Sequence, residues 1–192
     1  MTAYLYADRF WHWRGYTIGY TCANADQSHL PAVLLIHGFG ASVGHWRKNI
    51  PILATGARVF AIDLIGFGLS AKPPDFSYTF EQWAQLVLDF IHGVIQSPAI
   101  LVGNSIGAIV ALQTAVSGQE ISPNPVQKVI AINCSLRLLH ESKQAQLPWY
   151  RRWGSRLLQK MLGYRLLAQL FFQQVRQPQT VRRILQQAYQ KC

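Results

Sequence analysis

The apolar residues 99–102 run straight into Gly103-Asn104-Ser105-Ile106-Gly107 and out into a helical pattern that lasts to about Ser117. A buried strand, one turn and a helix, with no residue to spare between them, leave few backbone solutions. A serine at the apex of so tight a turn must adopt unusual backbone angles. The residues two before and two after it must then be small, because strand and helix nearly touch there. The helix start also leaves backbone N–H groups without acceptors beside the serine. The G-x-S-x-G spacing in this setting predicts Ser105 as a presented nucleophile and the Ile106 N–H as a donor to a developing oxyanion.

The rest of the chain supplies the surroundings such a turn needs. Residues 31–37 and 57–64 are further continuous apolar runs ending in Gly-rich loops, the signature of strands buried on both faces, and residues 126–133 form a fourth. Residues 9–22 are aromatic and β-prone and suit an opening strand or hairpin, with Gly15 and Gly19 as breaks. Trp83, Leu86, Val87, Phe90, Ile91 and Val94 recur at helical spacing over 80–96, with Thr79 placed to cap the helix. Strands alternating with helices predict an α/β fold with a mostly parallel sheet of four or five strands. From Leu136 the strand signal stops, and 149–170 and 180–189 read as amphipathic helices after Pro148 and Pro178. The chain thus divides into a core over 1–135 and a helical segment over 136–192.

Charge follows the same division. The first 135 residues carry 7 Lys/Arg and 7 Asp/Glu, whereas the last 57 carry 11 Lys/Arg against Glu141 alone, so the whole net charge of +10 sits there. A basic segment suits a solvated face, an acidic neighbour or an anionic membrane surface. No nucleic-acid motif accompanies it, and no nucleic-acid partner is expected. Charged residues are only 14% of the chain and apolar residues half, which excludes a disordered polymer. Cys22, Cys134 and Cys192 are too scattered for a disulfide framework, and no Cys/His cluster suggests a metal. A reducing, cytoplasmic setting is expected, with no cofactor. One rival reading is a nucleotide site: Gly38 to Gly44 is Gly-rich and Asp63 follows about 20 residues on, imitating a dinucleotide fingerprint. The glycine spacing departs from that fingerprint, and GNSIG would have no role.

HGFG at 37–40, AIDLIGFGLSAKP at 61–73 and GNSIGA at 103–108, in this order, resemble the α/β-hydrolase superfamily. Within it, HGFGASVGHWRKNI, the FEQW helix start and INCSLRLLH are similar to cyanobacterial and plastid hydrolases related to pheophytinase and chlorophyll dephytylase. The resemblance implies ester hydrolysis, with a phytyl-like alcohol as one candidate leaving group and a site peripheral to a photosynthetic membrane. It implies Phe39 as the second oxyanion donor, His37 as a residue shaping the loop rather than a base, and Gly38 and Gly40 as parts of that loop. Gly103 and Gly107 flank the elbow. A serine rather than an aspartate at 105 separates the chain from haloalkane dehalogenases and epoxide hydrolases, which form alkyl esters at this position; serine implies acyl transfer.

In that family the acid and the histidine follow the serine in the chain. After Ser105 there are only His140 and the carboxylates Glu120 and Glu141, while His12, His29, His45 and His92 precede it as surface or core-edge residues. The expectation is therefore a chain truncated within its helical cap, with the triad acid and histidine absent. His140 beside Glu141 is an improvised alternative. Without a base, the rate would fall to the roughly 10³–10⁴ over water that binding and the oxyanion hole supply. The expected partner is a small hydrophobic ester, its apolar pocket partly formed by 147–172. Basic helices over 147–192 leave peripheral membrane contact open. A non-catalytic binding protein built on the same scaffold is the competing class.

Overall fold

The computed structural model describes residues 4–134, which form one six-stranded sheet with helices on both faces. In chain order these are β1 (Arg9–Trp13), β2 (Tyr16–Ala23), β3 (Ala32–Ile36), α1 (Asn49–Leu53), β4 (Arg58–Ile62), α2 (Phe80–Phe90), β5 (Ala99–Asn104), α3 (Ile106–Gly118) and β6 (Val126–Ile132). A short 3-10 turn, Val43–Trp46, precedes α1, and one π-helical turn, Ile91–Ile95, extends α2. The strand order is β1-β2-β4-β3-β5-β6. Strands β4, β3, β5 and β6 run parallel, and the β1-β2 hairpin joins antiparallel through β2. The mostly parallel α/β architecture is as expected. The strand number is six because residues 9–22 hold two strands.

Burial explains the unbroken apolar runs. Every residue of β3 and β4 is buried, because alternate side chains enter two different cores. Leu34, Ile36, Phe60 and Ile62 pack with Leu86 and Phe90 of α2 and Val110 of α3. Val33, Leu35, Val59 and Ala61 face the other way, toward Val43, Trp46 and Ile50. At the far end of β4 the buried Arg58 guanidinium donates to the Ile95 carbonyl at 2.8 Å and to Ser97 Oγ at 3.2 Å, closing the π turn where helix carbonyls lack partners. Thr79 caps α2 as expected, its Oγ1 accepting from the Gln82 N–H at 3.3 Å.

Gly19 departs from expectation. It lies within β2, paired with Phe10, and breaks nothing. A Cβ there would stand 2.9 Å from the Ala7 Cβ and 3.4 Å from Asp63 Oδ2, so its small size serves packing rather than a turn. Gly15 does form the hairpin turn, at φ +83. Residues 136–192, read from sequence as the start of a basic cap, lie outside the described residues, as do His140 and Glu141.

Candidate active site

Ser105 sits where β5 ends and α3 begins, with φ 56 and ψ −116, a conformation L-residues rarely adopt. Two backbone bonds hold it there: its N–H donates to the Ile132 carbonyl at the end of β6 (2.9 Å), and its carbonyl accepts from Ala108 N–H (3.1 Å). The first bond takes Ser105's own N–H out of play. Ile106, as the first residue of α3, has an N–H with no acceptor inside the helix. The flanking glycines answer to sterics. A Cβ on Gly103 would collide with the Gly107 carbonyl, and one on Gly107 with the carbonyl oxygens of Ile36 and His37.

The loop after β3 passes directly over this elbow. A Cβ on Gly38 would come within 3.3 Å of the Ser105 Cβ and of Asn104. Residues Gly38 to Ala41 form a β-turn closed by the Ala41 N–H on the Gly38 carbonyl at 3.2 Å. Gly40 occupies its third position at φ +67, where a type II turn demands a residue free to be left-handed. Phe39 stands at the tip, 80% exposed, with its ring edge-on to Phe67 at 5.6 Å. Among the described residues its N–H has no acceptor. Phe67 also meets His37 at 5.5 Å and Trp83 at 6.0 Å, so an aromatic wall rises beside the elbow.

His37 is fully buried and both ring nitrogens are engaged. Nε2 accepts from the Leu64 N–H at 3.1 Å, so Nδ1 carries the proton and donates to the Gly38 carbonyl at 2.7 Å. It is a brace for the loop, with no nitrogen left to take a proton from Ser105. Burial pushes its pKa below the ordinary 6.5; the Gly38 bond and the Asp63 charge oppose this, and His45 adds to it. The folded state therefore resists protonation that the unfolded chain accepts. This term stabilises fully above about pH 6.5 and is lost as pH falls below it. The melting temperature is expected to hold near pH 7.5 and to drop toward pH 5.5. His37→Asn should melt lower at pH 7.5 yet lose less over the same interval; equal losses in both proteins would remove His37 as the cause.

Asp63, which in the sequence imitates the acid of a dinucleotide fingerprint, has different surroundings in the fold. Its carboxylate is buried, with Oδ1 accepting from the Val43 N–H at 2.7 Å and Oδ2 from the Leu69 N–H at 2.8 Å. Both oxygens are thus turned onto backbone. The spacing of a buried-strand Asp before a Gly-rich loop was the available signal, and it serves loop packing.

The remaining candidates lie elsewhere. Glu120 is exposed beyond the C-terminus of α3, whereas Ser105 caps its N-terminus; the 13 residues of that helix separate them by about 20 Å. Glu120 is therefore no partner for Ser105. His29 is in the loop that leads into β3 and His92 is on the π-helical turn that precedes β5, both at the opposite end of those strands from the elbow, and His12 is on the edge strand β1. His45 is on the 3-10 turn, its ring edge-on to Trp46. Among the described residues no group of three His, Cys, Asp or Glu could hold a metal ion, and no helix is long and apolar enough to cross a membrane.

A nucleophile-type elbow at the carboxyl end of a central parallel strand, overlaid by a Gly-rich loop from the neighbouring strand, defines the α/β-hydrolase class. The chain belongs to the alpha/beta hydrolase fold family, whose pattern matches residues 31–189. It is 39% identical over 120 residues to 2-hydroxy-6-oxo-6-(2'-aminophenyl)hexa-2,4-dienoic acid hydrolase of Metapseudomonas resinovorans, covering 60% of this chain and 40% of that protein. It is 31% identical over 148 residues to the chloroplastic pheophytinase of Arabidopsis thaliana, covering 62% and 30%. A membrane phospholipase A described as a bacterial virulence factor superposes with a TM-score of 0.59 at 30% identity, over 64% of this chain and 38% of that one. The chain spans less than half the length of each of these proteins. The first of these relatives is named a hydrolase and the second a pheophytinase, so by family this is an enzyme.

Proposed function

We propose that this chain is the nucleophile-bearing part of a serine hydrolase that cleaves carboxylic esters with a large apolar component. The observation that carries the reading is Ser105 at φ 56 and ψ −116 on the strand-to-helix turn, with Gly38 against it. In the reaction, Ser105 Oγ attacks the ester carbonyl and the carbonyl oxygen becomes negative. The N–H groups of Phe39 and Ile106 donate to that oxygen. Such preorganised donors contribute about 10²–10³-fold each. The tetrahedral intermediate collapses to an acyl-serine and the alcohol leaves carrying the proton that Ser105 Oγ gave up; water then hydrolyses the acyl-enzyme, releasing the acid and returning a proton to Ser105 Oγ. The base and its orienting carboxylate are not supplied by His37 or Glu120.

The apolar preference rests on the exposed Phe39 ring and the Phe67 ring beside it, an apolar face that a hydrocarbon group would cover and so remove from water. The likeness to pheophytinase is in keeping with the phytyl-like ester that the resemblance in the sequence implies. Residues 136–192, with 11 Lys/Arg against Glu141 alone, are proposed as the start of a basic cap segment, a charge balance compatible with contact at an anionic membrane. Cytoplasmic placement, at the periphery of such a membrane, goes with that proposal.

The test is active-site labelling. The 192-residue chain is incubated with a fluorophosphonate and the modified peptide is mapped, with Ser105→Ala alongside. Labelling of Ser105 that disappears in the variant supports an activated serine. Absence of label in both proteins favours the non-catalytic scaffold.

A further inference from the structure

Both ends of the loop that carries Phe39 are tied to two consecutive residues at the end of β4. At the near end His37 Nε2 accepts from the Leu64 N–H (3.1 Å), and at the far end the Val43 N–H donates to Asp63 Oδ1 (2.7 Å). The other Asp63 oxygen takes the Leu69 N–H (2.8 Å), which fixes the loop bearing Phe67, the ring that Phe39 packs against. Gly68 makes room for this: it has φ +51, and a Cβ there would fall on the carboxylate itself. Behind it, Ser70 Oγ donates to the Asp63 carbonyl (2.6 Å) and accepts from the Gly19 N–H (2.9 Å). Asp63 is fully buried, and among the described residues it has no ion pair. Burying a carboxylate with no cation is costly unless N–H groups solvate it, and here the solvating groups belong to two loops that flank the elbow.

We propose that Asp63 is a positioning residue: its carboxylate sets the Phe39 N–H over Ser105 by pinning the Phe39 loop to one of its oxygens and the Phe67 loop to the other. A misplacement of about 1 Å in a donor can cost on the order of 10²-fold in rate, so the effect of losing one pin is visible in chemistry before it is visible in fold. The inference rests on Ser105 being the nucleophile. Two variants loosen the pin by different routes. Asp63→Asn keeps one acceptor oxygen but replaces the other with an amide that faces a backbone N–H. Val43→Pro leaves the carboxylate intact and deletes one donor; Ser42 is already extended (φ −153, ψ −176) and residue 43 opens a helical turn, so proline fits both. Arg58→Ala, at the other end of β4, serves as a control that lowers stability without touching either loop.

The measurement is the saturation kinetics of Ser105 phosphonylation by the fluorophosphonate in the full chain, with thermal melts of each variant. In Asp63→Asn and Val43→Pro the maximal rate is expected to fall about tenfold or more, with the half-saturating reagent concentration unchanged. Arg58→Ala should melt lower and react at the parent rate. A parent rate in Asp63→Asn, or an equal fall in Arg58→Ala, overturns the proposal while leaving Ser105 as nucleophile. If the parent chain is not labelled at Ser105, the functional reading fails instead. Amide hydrogen exchange at Phe39 and Gly40 then decides the anchor: faster exchange in Asp63→Asn upholds it, and unchanged exchange overturns it.

Discussion

Gly107→Val yields no stably folded chain. The residue lies in the first turn of α3, and any Cβ there runs into the carbonyl oxygens of Ile36 and His37. Those atoms belong to the end of β3, a strand paired on both sides, and have no side-chain freedom with which to yield. Relief requires α3 to lift from the sheet, which would uncover Ile106, Val110 and Ala111 from the main core. A loss above about 4 kcal/mol, the range reserved for overpacking and core disruption, is expected. Far-UV circular dichroism and a urea titration of the purified chain measure it. Gly40→Ala is the instructive comparison. Gly40 has φ +67 but open space where a Cβ would go, so its cost is confined to backbone strain of about 1–2 kcal/mol. Similar melts for the two variants would show that the elbow is looser than its geometry.

Phe90→Ala should cost about 3–5 kcal/mol, the range for removing a buried aromatic ring. Phe90 is fully buried, and three rings meet it edge-on: Tyr20 at 5.2 Å, Trp11 at 5.6 Å and Phe60 at 6.4 Å. Each of those pairs loses a partner as well as buried area. Phe90 is also the point at which α2 is bound both to the hairpin and to β4, so the cavity cannot close by a shift of one element alone. The melting temperature should fall by roughly 6–20 °C. Phe10→Ala, on the edge strand with its ring 53% exposed, should change stability little. A Phe90→Ala chain that melts within 2 °C of the parent would contradict the packing described.

Elements set by short-range rules were legible from the residues. The strand, turn and helix around Ser105 follow from apolar periodicity and from two glycines placed where no side chain fits, and the structure puts β5 and α3 within a residue or two of the expected bounds. The cap at Thr79 is equally local. The π-helical turn at Ile91–Ile95 was not foreseen, since the same apolar spacing reads as a continuing helix. Gly19 was read as a break because glycine usually is one; its real reason, the approach of Ala7 and Asp63, comes from residues 12 behind it and 44 ahead.

Asp63 marks the boundary most clearly. In the sequence, a Gly-rich turn after one strand and an acid at the end of the next look alike whether the acid meets a ribose or a backbone amide. The local pattern carries no information on where a carboxylate points. Sheet pairing decides it: β4 lies beside β3 in parallel register, Ile36 against Ile62, so the loops that follow the two strands emerge together and Asp63 meets Val43. The same register delivers Leu64 to His37 and so fixes which imidazole nitrogen holds the proton. The residues alone therefore determined the class of fold and the serine it presents, because those depend on periodicity and sterics within a few residues. Which polar groups brace that serine was decided only by tertiary structure, because hydrogen bonds between loops 20 to 30 residues apart exist only once the strands have chosen their neighbours.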